Sequence, residues 1–266
     1  MVHRYMSMVH ILETTELTEK APFGQFVDTT HSFLKERELM VVSNTPQVVI
    51  DLFIAEVDEL IEALQIGKPP IEVVSEMGDV IHFYNDLLKF FGVEHMQLVP
   101  TSTENDSVAQ VRTAAREMIP AEWHENSLKE SLELLKSQAH QILKLVAQDN
   151  ELSEVQMLQG DAQEMELRKG QIQRELSLLL QAIFFVSEKL EVDLVYAGLF
   201  KNVRNRSKYP VELFQSSNPA DYPQARDESK QRWQESGGDE AFVERFFQQY
   251  PIPFLMAMRP YDAEFA

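Results

Sequence analysis

The sequence of 266 residues contains no cysteine and no long apolar run. Without cysteine there can be no disulfide, no thiolate nucleophile and no zinc site with thiolate ligands, which fits a reducing compartment. No segment supplies the roughly 18 uninterrupted apolar residues of a membrane span, and the first residues lack the apolar core of a signal peptide. We therefore expect a soluble, cytoplasmic protein.

Basic residues are also scarce. The 24 Lys and Arg residues stand against 43 Asp and Glu residues, which gives a formal net charge of −19. A surface of this charge would repel the backbone of a nucleic acid and an anionic membrane. We expect neither as a partner, and favour a cation, a cation-bearing small molecule or another protein.

Strand signals are nearly absent, and apolar residues recur at three- and four-residue intervals along most of the chain. This spacing is typical of amphipathic helices, so the predicted fold class is all-α, a helical bundle. The predicted helices cover about 23–39, 46–67, 71–91, 108–118, 127–148, 164–190 and 193–207.

Two consecutive helices each contain a pair of carboxylates three residues apart, Glu56 with Glu59 and Glu76 with Asp79. Residues at this spacing share one helix face. Glu56 and Asp79 stand beside the apolar stripe of their helices, and burying four like charges is costly unless a cation neutralises them. Because carboxylate oxygens suit hard divalent cations, the pattern predicts a Mg²⁺ site, with Mn²⁺ as a second candidate. The alternative is chance placement on solvated faces of an acidic chain.

A weak internal repeat is visible when the chain is shifted by about 99 residues, which places Glu76 over Glu175. Leu178 then stands where the first copy has Asp79, so we expect one metal site per chain. The pattern predicts two helical hairpins about a pseudo-twofold axis, like a dimer joined into one polypeptide. The predicted boundaries are 1–22 for an N-terminal tail, 23–210 for the helical domain, 23–96 and 108–210 for its active and degenerate repeats, and 211–266 for a C-terminal arm.

The segment "GLFKNVRNRSKYP" concentrates cations in a chain that has few of them. Pseudo-twofold packing would bring Lys201 and Asn205 opposite the carboxylates, so that one wall holds metal and the other binds phosphate. The alternative is a positive helix C-terminus that complements the helix dipole. The predicted substrate-binding residues are Lys201, Asn202, Arg204, Asn205 and Arg206.

The two acidic pairs on paired helices, together with "DVIHF" at 79–83 and "KNVRN" at 201–205, form a pattern that is similar to a known family. It resembles the all-α nucleoside triphosphate pyrophosphohydrolases, which include the MazG-like proteins, the dCTP pyrophosphatases and the dimeric dUTPases. The resemblance covers roughly 26–95 and 170–210, and these two motifs are most similar to those of the dimeric dUTPases.

The resemblance implies a magnesium-dependent enzyme that cleaves a nucleoside triphosphate to the monophosphate and pyrophosphate. All four acids would hold metal, one of them, Glu59, would act as general base, and Lys201 and Asn205 would contact phosphate or sugar. Leu39 stands where many relatives have an aromatic residue able to stack on a base. The resemblance therefore leaves the preferred base open, with dUTP and dCTP among the candidates.

Two alternatives to an active hydrolase follow from the sequence. One is a catalytically inactive nucleotide sensor or structural helical protein of the same fold. The other is a di-iron carboxylate bundle, which would need Glu-x-x-His pairs. No histidine follows a glutamate at that spacing, and we expect His82, which follows Asp79, to be packed among its aromatic neighbours.

Beyond Pro210 the sequence predicts two short helices separated by Gly237 and Gly238, followed by an extended arm. The apolar residues of this tail could pack onto the bundle or cover the interface of a homodimer. Those expected to pack are Trp233, Phe246, Phe247 and Phe254.

Overall fold

The computed structural model describes residues 23–28, 45–94, 97–99, 106–151, 162–214 and 222–249. All secondary-structure elements in these ranges are helices, which confirms the all-α prediction. We number the main helices in chain order: α1 (Pro46–Gln65), α2 (Pro70–Phe91), α3 (Val108–Glu117), α4 (Leu128–Glu151), α5 (Ala162–Leu190), α6 (Leu194–Lys208), α7 (Tyr222–Glu235) and α8 (Gly238–Gln249). Two short 3-10 helices lie at Ala121–Glu125 and Val211–Leu213.

These helices lie close to the positions that the apolar spacing predicts. The helix predicted at 23–39 is described only at 23–28, where it is helical. The predicted tail at 1–22 and the residues Leu39 and Phe254 lie outside the described ranges. None of the helices in the described ranges is long and apolar enough to cross a membrane.

The ends of the first hairpin follow from local chemistry. The Thr45 side chain accepts a hydrogen bond from the backbone N–H of Val48 at 3.4 Å, and Pro46 occupies the first turn of α1, where its missing N–H costs nothing. Gly92 ends α2 with a left-handed φ of 60°, a conformation that glycine adopts without strain. Both signals are readable in the sequence.

The helices α1 and α2 form one hairpin and α4 and α5 form a second, and α1 packs against α4 between them. A continuous apolar core runs through both hairpins, with Phe53 and Tyr84 fully buried. The Tyr84 hydroxyl donates to the backbone oxygen of Leu176 at 3.1 Å, which ties α2 to α5. Outside the hairpins, α3 packs on α5 and α6 packs on α2.

The C-terminal helices α7 and α8 pack against each other and onto α6 through a second, smaller apolar cluster. Phe200 of α6 contacts Phe242 and Phe246 of α8, with ring centroids 5.4 and 5.0 Å apart. Trp233 and Phe246 are buried in this cluster and Phe247 packs at its margin, as the sequence predicts.

Candidate metal and anion site

Three carboxylates converge between α1 and α2. Glu56, Glu76 and Asp79 each offer an oxygen, and these oxygens all lie within 4.8 Å of one another. Asp79 is buried, and the two glutamates are half-buried. Glu59 is exposed and lies outside this triad, although its charge acts on all three members. The structure therefore brings together three of the four acids that the sequence singles out and places the fourth at the edge.

The triad holds more negative charge than its surroundings neutralise. Burial, followed by the charges of Asp79 and Glu59, raises the pKa of Glu56 to about 8. Burial also raises the pKa values of Glu76 and Asp79, although the ammonium of Lys201 opposes the shift in each. Raised pKa values of this kind favour the uptake of a proton or the binding of a cation at the cluster.

Lys201 of α6 lies opposite the triad, as the sequence predicts. It is 8% exposed, forms an ion pair with Asp79, and its Nζ is 3.5 Å from the hydroxyl oxygen of Ser75. One ammonium group therefore faces three carboxylates. This ion pair joins the first hairpin to a helix more than a hundred residues further along the chain.

A close approach of α6 to α2 makes this pairing possible. A Cβ atom on Gly78 would lie 2.6 Å from the backbone oxygen of Ala197 and 2.9 Å from Cβ of Lys201, so no larger residue fits without displacing α6. One turn later, Nε2 of His82 donates to the backbone oxygen of Gly198 at 3.2 Å. Burial lowers the pKa of His82 to about 4, so the ring is neutral. His82 is therefore a packed histidine, as expected.

Arg204 extends the basic wall one turn beyond Lys201. Its Nη1 donates to the hydroxyl oxygen of Ser75 at 3.1 Å, and its Nε donates to Oδ1 of Asp239 at 2.6 Å. Burial alone would lower the pKa of Arg204, but the hydrogen bond to Asp239 and the charges of Asp239, Asp79 and Glu76 raise it. Arg204 therefore carries its charge close to the acids.

The remaining predicted substrate-binding residues lie elsewhere on α6. Asn202 is buried and accepts a hydrogen bond from Nε of Arg206 at 2.6 Å. Asn205 is half-buried, one turn after Lys201. The structure thus brings Lys201 and Arg204 to the triad and pairs Asn202 with Arg206.

Three residues of the site were not identified from the sequence. Ser75 precedes Glu76 on α2, and Gly78 is an isolated glycine inside a helical pattern, a signal of close packing. Asp239 is separated from Arg204 by 35 residues, and no periodic pattern connects the two. Among these, only the position of Gly78 could have been anticipated.

Comparison with known proteins gives no relative from which a function could be transferred. No family model, curated protein or solved structure matches the chain.

The donor set fits a hard divalent cation. Three carboxylate oxygens from two helices are the type of ligand that Mg²⁺ and Mn²⁺ prefer. In the part of the chain that the structure describes, no second group of acidic or histidine side chains has this geometry. The acidic triad could therefore hold a metal ion, at a position flanked by two basic side chains.

Proposed function

We propose that the protein is a Mg²⁺-dependent nucleoside triphosphate pyrophosphohydrolase, which cleaves a ribo- or deoxynucleoside triphosphate to the monophosphate and pyrophosphate. The observation that supports this function most strongly is the pairing of an acidic triad on α1 and α2 with Lys201 and Arg204 on α6. A triphosphate needs both halves of such a site, because its own charge would be repelled by a chain of net charge −19.

In this proposal Glu56, Glu76 and Asp79 hold the metal. Bound Mg²⁺ would neutralise phosphate oxygens, lower the pKa of water and stabilise the charge of the transition state. Glu59 remains outside the triad and is the candidate general base. As Glu59 takes a proton from water, a new bond forms between the water oxygen and the α-phosphorus. The bond to the bridging oxygen breaks, and pyrophosphate leaves with its electron pair.

The basic wall of α6 would orient the triphosphate. Lys201 and Arg204 face the acids, and the pKa of Lys208 is lowered by burial and by the nearby charge of Arg204. Cationic groups repel one another, so a polyanion placed among them would relieve this repulsion. Asn205, Asn202 and Arg206 are proposed to contribute to phosphate or sugar binding further along the same helix.

The helix contacts support a pseudo-twofold arrangement of two repeats. In chain order α3 follows the first hairpin and α6 follows the second, yet α3 packs on α5 and α6 packs on α2. Each third helix thus crosses to the opposite hairpin, as it would in a symmetric dimer. In the proposed function this exchange explains why the acids and Lys201 come from different halves of the chain.

One observation favours a second candidate, an inactive nucleotide-binding sensor. Lys201 already pairs with Asp79, so part of the triad's charge is balanced without any metal. In a sensor, Mg²⁺ and nucleotide would bind in the same place without turnover.

A panel of ribo- and deoxynucleoside triphosphates with Mg²⁺ tests the proposal by measuring the release of pyrophosphate. The proposal expects release from at least one nucleotide, and the panel also identifies the preferred base. Binding of a nucleotide without any release of pyrophosphate across the panel would contradict the hydrolase and support the sensor.

A further inference from the structure

The guanidinium of Arg204 is held from two sides by different parts of the chain. Ser75 of α2 accepts from Nη1 at 3.1 Å, and Asp239 of α8 accepts from Nε at 2.6 Å. A guanidinium has five N–H groups. Within the ranges that the structure describes, Asp239 and Ser75 bind two of these N–H groups. The other three N–H groups are left to bind a phosphate. The Arg204 side chain is 22% exposed, so it remains reachable from solvent.

Asp239 is itself held in place by the packing of α8 on α6. Phe200 precedes Arg204 by one turn on α6, and Phe242 follows Asp239 by one turn on α8. The two rings contact each other with centroids 5.4 Å apart. The aromatic contact and the ion pair therefore join the same two helices at neighbouring turns, which fixes the distance between Asp239 and Arg204.

The indole of Trp233 on α7 also lies beside Asp239. Burial disfavours the charged form of Asp239, but the hydrogen bond and charge of Arg204, then the charge of Lys208 and the nearby Trp233 N–H, outweigh this effect and lower its pKa. The approach of the Trp233 N–H falls short of a hydrogen bond. The charged form of Asp239 is thus favoured chiefly by basic groups of α6, and the hydrogen bond from Arg204 orients its carboxylate.

A partly exposed ion pair of this kind contributes little to folding stability. Its consequence is orientation, because an arginine fork that is already fixed loses less freedom when it binds a phosphate. The carboxylate of Asp239 accepts the hydrogen bond from Nε of Arg204. This contact fixes the plane of the guanidinium and leaves its outer N–H groups for another acceptor.

We propose that Asp239 is a positioning residue, which holds Arg204 ready for the triphosphate, so that the C-terminal helices α7 and α8 form part of the anion-binding wall. This inference rests on the proposed function. It assigns to the C-terminal arm a role in substrate binding that the acidic hairpin cannot supply.

Steady-state kinetics of Asp239→Ala and Asp239→Asn test the proposal. Loss of the carboxylate should raise KM for the preferred nucleotide about 10-fold and change kcat much less, because an oriented charge-assisted hydrogen bond is lost. Asp239→Asn keeps an acceptor oxygen and should raise KM less than Asp239→Ala. In an Arg204→Ala background, Asp239→Ala should have no further effect on KM.

The matched control is Glu240→Ala, which removes an exposed acid from the same first turn of α8. It should leave KM within about twofold of wild type, as expected for a surface change. An unchanged KM in Asp239→Ala would overturn the proposal. A lowered KM would also overturn it, because Asp239 would then be a competitor of the phosphate.

Calorimetric binding of tripolyphosphate with Mg²⁺ separates this inference from the proposed function. A wild-type protein that binds tripolyphosphate without releasing pyrophosphate from any nucleotide contradicts the hydrolase alone. Weaker tripolyphosphate binding in Asp239→Ala, with an unchanged melting temperature, still supports positioning by Asp239. A wild-type protein that neither binds nor hydrolyses a triphosphate overturns both.

Discussion

The two hairpins share one core, but they have different chemistry at the positions that the weak sequence repeat aligns. At a shift of about 99 residues, Asp79 of α2 corresponds to Leu178 of α5, and His82 corresponds to Gln181. Leu178 packs against the apolar core, whereas Asp79 is buried beside two other carboxylates. The second hairpin shows that this architecture does not require buried charge.

The second hairpin has neutral polar side chains at two of the positions that the repeat aligns with the acidic site. Ser177, at the position of Gly78, donates to the backbone oxygen of Leu98 at 2.5 Å, and Gln181 donates to Ser177 at 3.2 Å. The first hairpin instead gathers acids whose pKa values are raised by burial. Burial therefore disfavours the charged form of these acids, and a cation bound among them would offset this cost.

The largest expected effect comes from a change in the triad. Glu76→Gln should lower pyrophosphate release by at least about 100-fold, because it removes a proposed metal ligand. Mutation of a residue that only hydrogen-bonds a metal ligand already lowers metal affinity or activity by about 10- to 100-fold. Circular dichroism should show the same helix content as wild type. The matched control is Glu175→Gln at the corresponding position of α5, where activity should persist. Equal losses in both variants would remove the distinction between the hairpins.

The close approach of α6 to α2 should tolerate no side chain at residue 78. Gly78→Ala is expected to lower the free energy of unfolding by about 1–3 kcal/mol, as other overpacked sites do, and to separate Lys201 from Asp79. Denaturant unfolding and pyrophosphate release measure both effects.

Gly170 of α5 provides the control, because a Cβ there would meet nothing within 4 Å. Gly170→Ala should stabilise the protein by about 0.5–1 kcal/mol through the higher helix propensity of alanine. If both substitutions were neutral, the α2–α6 contact would not be as close as the structure has it.

The acidic triad should make the metal-free protein less stable as pH rises. Burial, with help from the charge of Asp79, raises the pKa of Glu56 from 4.5 to about 8 in the folded state. The contribution of protonated Glu56 to folding stability is complete at pH values below the unfolded-state pKa. It is lost as pH rises through the folded-state pKa. The melting temperature should therefore fall between about pH 5 and 8, and Glu56→Gln should flatten this slope. A slope unchanged by Glu56→Gln would contradict the buried placement of this acid.

His82 should give a smaller dependence of the opposite sign. Burial lowers its pKa from 6.5 to about 4, so its contribution is complete above the unfolded pKa and is lost as pH falls towards 4. His82→Gln introduces the residue of the corresponding position in α5 and should reduce the loss of stability on acidification. Thermal melts between pH 4 and 7 measure the difference. An identical acid profile in the variant would indicate that other groups dominate.

The helices were predictable because their signals are local. Apolar spacing, the Thr45 cap and the glycine at 92 all act within a few residues, and the structure places α1 and α2 accordingly. The partner of Arg204 was not predictable, because Asp239 reaches it through tertiary packing across 35 residues. The position of Glu56 beside the apolar stripe was readable in the same way as the helices, and the structure has Glu56 half-buried and Glu59 exposed.

The contact between Lys201 and the acidic triad was predictable in part. The weak repeat suggested that the two halves pack face to face, and α6 does pack on α2. The distance between α2 and α6 depends on Gly78. This effect could not be predicted from the sequence, because it depends on Ala197 and Lys201, which lie opposite Gly78 only in the folded chain. A helical pattern can therefore place a residue on a face, but the contact across that face comes from three-dimensional packing.

The most direct test of the central claim is a calorimetric titration of Mg²⁺ into the wild-type protein at pH 7, repeated in buffers of different ionisation enthalpy. If the triad holds the cation, binding should be saturable and should release up to about one proton, because the pKa of Glu56 is about 8 without metal. Glu76→Gln should abolish this binding, and Glu175→Gln should leave it intact. No saturable heat in the wild type, or the same titration in Glu76→Gln, would contradict a metal site between α1 and α2.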